Sequence, residues 1–109
     1  MGLVKTEIFT NLQNEIALFA KAFGHPARVA ILQHLFKTDS CVCGELVNEI
    51  GLAQPTISQH LKELKQLGLI KGNVEGTSVC YCIESKNWTN MKTVMFQFLD
   101  QDISEVDCC

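Results

Sequence analysis

"LAQPTISQHLKELKQLGLIKGNVEGTSVCYCI", residues 52–83, changes its period once, and that change decides the fold. Up to Gly68 the apolar residues recur at helical spacing, with Ile57, Leu61 and Leu64 at i, i+4 and i+7. Pro55 suits a first helical position and Gly68 a helix end. After Gly68 the pattern shortens to two. Val79, Tyr81 and Ile83 fall on one face, Cys80 and Cys82 on the other. Gly72 and Gly76 sit between two short extended runs, so the segment reads as a β-hairpin.

Working outward, "CGELVNEI" before the quoted stretch reads as a short helix over about 43–50, burying Leu46, Val47 and Ile50, with Gly51 stopping it. A short helix, a tight turn and a second helix make a helix-turn-helix over about 43–68. The hairpin over about 69–83 is then the wing of a winged helix. Upstream, Leu12, Ile16, Phe19, Ala20 and Phe23 predict a helix over 6–23. Pro26 opens another that runs to about Lys37, with Val29, Ile31, Leu32, Leu35 and Phe36 apolar. Downstream, Trp88, Met91, Val94, Met95, Phe98 and Leu99 predict a last helix over about 86–103. The expected fold is mainly α with one small hairpin, a single winged helix-turn-helix domain over 1–109.

A chain of 109 residues has a thin core, so a dimer would help to bury its apolar faces. With 47% hydrophobic and 19% charged residues it is neither disordered nor membrane-spanning, having no run of 18 apolar residues. No export signal opens it, which predicts a cytoplasmic setting. The net charge of −3 sits awkwardly with nucleic acid, but Asp100, Asp102, Glu105 and Asp107 crowd the last ten residues. Apart from those four, nine basic residues face eight acidic ones, so charge neither demands DNA nor excludes it.

The second helix of the helix-turn-helix offers a polar stripe. Gln54, Thr56, Ser58, Gln59 and Lys62 are the candidate DNA contacts, because glutamine pairs bidentately with adenine and Ser or Thr reaches bases or phosphates. Lys62, Lys65, Lys71 and Lys86 are candidate phosphate contacts. His60 borders the apolar face and is expected to be packed and hydrogen-bonded.

The six cysteines fall in three close pairs, 41/43, 80/82 and 108/109. Without an export signal, and with good helical periodicity, they read as metal ligands or redox sensors in a reducing compartment rather than as three disulfides. Cys41 and Cys43 stand at a predicted helix start, where thiolates form most easily. Cys80 and Cys82 share a strand face, with small side chains on the outer face of a hairpin as the simpler explanation.

As a set, "KAFGHPARVAILQHL", "CVCGEL", "AQPTISQHLKELKQLGLI" and "EGTSVCYCI" resemble the ArsR/SmtB family of bacterial metal-responsive repressors. The resemblance runs from about Ala20 to Ile83. It implies a homodimer built on the helices at about 6–23 and 86–103. It implies double-stranded operator DNA, an imperfect palindrome, held by the metal-free dimer and released when a ligand binds. "CVC" resembles the arsenic- and cadmium-sensing branches, which implies Cys41 and Cys43 as ligands and As(III), Sb(III) or a trivalent organoarsenical as inducer. Soft ions prefer thiolate sulfur. No obligatory cofactor is implied. The arsenic branch carries a third cysteine three residues after "CVC"; here that residue is Leu46. Cys108 and Cys109 are the candidate further ligands. A zinc-type site on the last helix is disfavoured because residues 86–109 hold no histidine.

Four rivals remain. The same fold would serve a thiol redox or persulfide sensor, or a Cd or Pb sensor. An enzyme is disfavoured, because "CVC" is not the C-x-x-C redox motif and no βαβ pattern exists. A metal-buffering module that binds no DNA is the last.

Overall fold

A computed structural model describes residues 8–38, 41–42, 46–76 and 78–105. The order is α1 (Asn11–Ala22), α2 (Pro26–Lys37), α3 (Leu46–Ile50), α4 (Gln54–Gln66), β1 (Ile70–Glu75), β2 (Ser78–Ile83) and α5 (Ser85–Leu99). This is the winged helix-turn-helix that the change of period predicts.

Local chemistry sets the boundaries. Helix α1 starts later than residue 6, because Thr10 and Gln13 form a capping box: each side chain bonds the other's backbone N–H, at 3.0 and 2.9 Å. His25 caps α2, its Nδ1 accepting the Ala27 N–H at 3.0 Å, and Pro26 follows as the first helical residue. Gly51, at φ 83°, makes the turn between α3 and α4 in a conformation that glycine adopts freely. Gly68, at φ 79°, ends α4, and the Asn87 side chain donates to its carbonyl at 2.8 Å. Helix α5 stops at Leu99, short of residue 103. There the Gln101 side chain donates to the Gln97 and Phe98 carbonyls, and Asp100 and Asp102 place negative charge at the negative end of the helix dipole.

The core lies where α2, α3 and α4 meet the hairpin. Ile31, Ile57, Leu64 and Leu69 are fully buried, with Leu32, Leu35, Leu46, Leu61 and Ile70 around them. Helix α2 touches α3, α4 and β2, and α4 packs on β1. The hairpin is antiparallel, with Ile70 opposite Ile83 and Gly72 opposite Tyr81. A Cβ at Gly72 would lie 3.2 Å from the Tyr81 ring, so the glycine is what lets that ring lie across the strand.

The terminal helices behave differently from the core. Helix α1 packs on α5. Yet Leu12 and Leu18 of α1 and Phe96, Phe98 and Leu99 of α5 are exposed, Leu99 at 69%. The helical spacing of Leu12, Phe98 and Leu99 reads as a core face in the sequence, but within one chain these residues stay exposed. The radius of gyration, 16.8 Å, exceeds the roughly 13 Å expected of a compact chain of this size. Both facts fit the dimer that is typical of this fold family. No described helix is long and apolar enough to cross a membrane.

Leu64, at 0% exposure, joins α4 to the rest. Leu64→Ala is expected to lower unfolding free energy by about 2–5 kcal/mol, read as a lower urea midpoint at fixed protein concentration.

Candidate nucleic-acid interface and thiol cluster

Helix α4 is amphipathic in the way DNA reading requires. Ile57, His60, Leu61 and Leu64 are buried, while Gln54, Thr56, Ser58, Gln59 and Lys62 are all exposed on its other side. All five sequence-derived candidates therefore share the accessible face of one helix. Gln54 and Ser58 bond each other, Nε2 donating to Oγ at 3.0 Å. Lys65, Lys71 and Lys86 are exposed too. An open groove of about 290 Å³ separates this helix from the wing, with Val47, Ile57, Leu61, Val79 and Tyr81 in its walls.

What aims the helix is a polar cluster on its inner side. Arg28 of α2 is buried and pairs with Glu63 of α4. Its Nε donates to His60 Nδ1 at 3.2 Å and its Nη1 to the Lys21 carbonyl at 2.9 Å. One guanidinium thus ties α1, α2 and α4 together. The His25 ring lies against His60, centroids 4.6 Å apart. His60 is packed and bonded, as its position beside the apolar stripe predicts. Burial pushes its pKa down, and the charges of His25 and Arg28 push it further. Protonation would also turn Nδ1, an acceptor from Arg28, into a donor facing a donor.

The thiols are arranged differently from the sequence expectation. Cys41 does not stand on a helix start: Val42, its neighbour, forms a β-bridge with Tyr81 of the wing, and the described part of α3 begins at Leu46. The Val42 N–H donates to the Tyr81 carbonyl at 2.8 Å and the Tyr81 N–H to the Val42 carbonyl at 2.9 Å. The chain before α3 is thus a third, very short strand beside β2. Cys41 is half-buried, and its Sγ accepts from Asn73 Nδ2 at 3.5 Å. Cys82, also half-buried, hydrogen-bonds Cys41; that bond, then burial, then negative charge at Cys41 and Glu84, hold its thiol above the usual range, with Lys71 opposing.

Cys80 is the larger departure. It is fully buried rather than on an outer hairpin face, and it is disulfide-bonded. The expectation that every cysteine is a reduced thiol does not hold for it. In the structure Cys82 lies beside Cys41 instead. Sequence reasoning missed this partnership. The signal was there: "CVC" and "CYC" each place cysteines on both sides of one residue that points the other way, as two paired strands would. Cys43, Cys108 and Cys109 lie outside the described residues. Among the described residues, no group of three His, Cys, Asp or Glu is gathered for a metal ion.

With this geometry, the comparisons are decisive for the family. The family model described as "Bacterial regulatory protein, arsR family" matches residues 25–71. An HTH-type transcriptional regulator of Methanocaldococcus jannaschii, MJ1325, is 47% identical over 64 residues, covering 58% of this chain and 71% of that one. The chain belongs to the ArsR/SmtB family of transcriptional regulators. The solved structure of Rv0081 from Mycobacterium tuberculosis superposes with a TM-score of 0.65 at 30% identity, covering 84% of this chain and 91% of that one. The structure of CMTR from the same organism, described as a cadmium metal-sensor, gives 0.55 at 26% identity, with coverage of 85% and 96%. Its ArsR/SmtB relatives are regulators rather than enzymes, and the matched segment, residues 25–71, spans α2, α3 and α4 with the first residues of β1.

The His60 shift sets a pH dependence. Its folded pKa lies below the ordinary histidine value, so the unfolded chain binds more protons between the two. Stability from this group is complete above about pH 6.5 and is lost as pH falls below it. Urea midpoints are expected to fall with acidification in that window. His60→Gln, which accepts from Arg28 without titrating, is expected to flatten the fall.

Proposed function

We propose that this regulator is a homodimeric repressor of an imperfectly palindromic operator, released when As(III), Sb(III) or a trivalent organoarsenical binds Cys41 and Cys43. The observation that carries the reading is the junction at Val42. One backbone ladder joins the "CVC" segment to the wing, and the recognition face of α4 stands across the groove from that wing. A ligand on Cys41 therefore acts on the element beside the DNA-reading surface. Thiolate ligands select soft ions over oxygen-seeking ones. The likeness to a cadmium sensor supports metal sensing as the class of signal.

In the ligand-free dimer, Gln54, Thr56, Ser58 and Gln59 reach base edges and Lys62 a phosphate, with two α4 helices in successive major grooves. The exposed apolar residues of α1 and α5 meet their copies at the dimer interface. Release requires the ligand to favour a conformation that DNA disfavours, because only differential binding shifts an equilibrium.

A second reading keeps the fold and changes the signal. The disulfide at Cys80 and the adjacent Cys41 and Cys82 thiols favour a redox or persulfide sensor. Mild oxidation that forms one reversible crosslink and abolishes DNA binding would establish it.

The primary test follows fluorescence anisotropy of reduced protein on DNA from upstream of its own gene as arsenite is added without oxygen. Release at stoichiometric arsenite is expected. Persistent binding would remove arsenite as the signal. Cys41→Ser and Cys43→Ser are expected to bind DNA as the wild type does and to stay bound when arsenite is added. Lys62→Ala is expected to weaken binding evenly across sequences. Its salt dependence, log K against log salt, should lose a slope of about one per recognition helix.

A further inference from the structure

The bridge between Val42 and Tyr81 determines what stands on either side of it. These two residues exchange both backbone hydrogen bonds. In an antiparallel ladder the neighbouring pair is the non-hydrogen-bonded one, with side chains on a common face and Cβ atoms roughly 4.5–5.5 Å apart. On the described side of the bridge that pair is Cys41 and Cys82. Asn73 donates to the Cys41 sulfur at 3.5 Å, and both cysteines remain reachable from solvent. Two sulfurs so placed lie close enough to share a single thiophilic ion.

We propose that Cys82 of the wing is a ligand to the same soft ion as Cys41, supplying the sulfur that Leu46 cannot. The proposal rests on the As(III) reading above and deepens it. It replaces Cys108 and Cys109 as the source of the third ligand. The chemistry needs no oxidant: each thiol displaces one hydroxyl of arsenous acid, the thiol proton leaves with that hydroxyl as water, and arsenic stays trivalent. Three thiols give three As–S bonds and three waters.

The placement has a mechanical consequence. A ligand held by Cys41 and Cys82 spans the strand before α3 and strand β2, so it fixes the base of the wing directly instead of pulling on a helix end. The wing position that brings both sulfurs to one arsenic is then the one that DNA does not select.

The test uses reduced full-length protein, arsenite and no DNA. Arsenic-edge X-ray absorption counts the sulfurs. Three are expected for the wild type and for Cys108→Ser combined with Cys109→Ser, and two for Cys82→Ser. Arsenite affinity of Cys82→Ser is expected to drop by about tenfold or more. A second measurement needs no variant: stoichiometric arsenite should protect Cys82 of the wild type from alkylation, read by peptide mass spectrometry. Three sulfurs in Cys82→Ser, or unprotected Cys82 in the wild type, overturns the assignment and leaves the arsenic reading standing. A wild type that binds no arsenite overturns both.

Discussion

Two backbone hydrogen bonds between Val42 and Tyr81 organise the functional end of this molecule. A two-stranded hairpin alone is marginally stable in water. Here the wing gains a third strand from the segment before α3, and Val42, which is buried, drives its side chain into the core. The Glu84 N–H closes the other end of the hairpin on the Leu69 carbonyl, at 2.9 Å. The wing is thereby attached along its β2 edge to the segment before α3 and closed at its base. The segment that makes the ladder also carries a thiol, so chemistry at sulfur and placement of the wing share one backbone.

The recognition helix is fixed by a different interaction. A buried arginine is costly unless its charge and its donors are satisfied. Arg28 is satisfied by Glu63, His60 and the Lys21 carbonyl, three groups from two other helices. Around it, Ile31, Ile57 and Leu64 supply the apolar contact that makes α2 and α4 one body. Packing provides the stability, and the guanidinium fork provides the register of one helix against the other.

Much of this was legible in the sequence. Ile57, Leu61 and Leu64 announced the inner face of α4, and the switch to alternation announced the hairpin. The polar stripe from Gln54 to Lys62 fell on the exposed face as its spacing required. What escaped was tertiary. The helical spacing of Leu12, Phe98 and Leu99 marks an apolar face but not which chain covers it. The ends of α1 and α5 were set by side-chain caps, Thr10 with Gln13 and Gln101, that periodicity does not see. The thiols escaped for a related reason. Spacing suggested chelation within "CVC" and an outer hairpin face for "CYC", whereas strand pairing set one motif beside the other. That pairing is a long-range contact made by Val42 and Tyr81, and no local pattern encodes its register.

The bond between Gln54 and Ser58 bears on how strictly an operator can be read. Discrimination against a wrong base comes from leaving a polar group stranded. A side chain that already has a partner on its own helix is never stranded: facing an unsuitable base, Gln54 returns to Ser58. With Gln54 in the proposed base contact, that internal partner would make the first position of the helix a permissive one, rewarding a correct base without heavily penalising a wrong one.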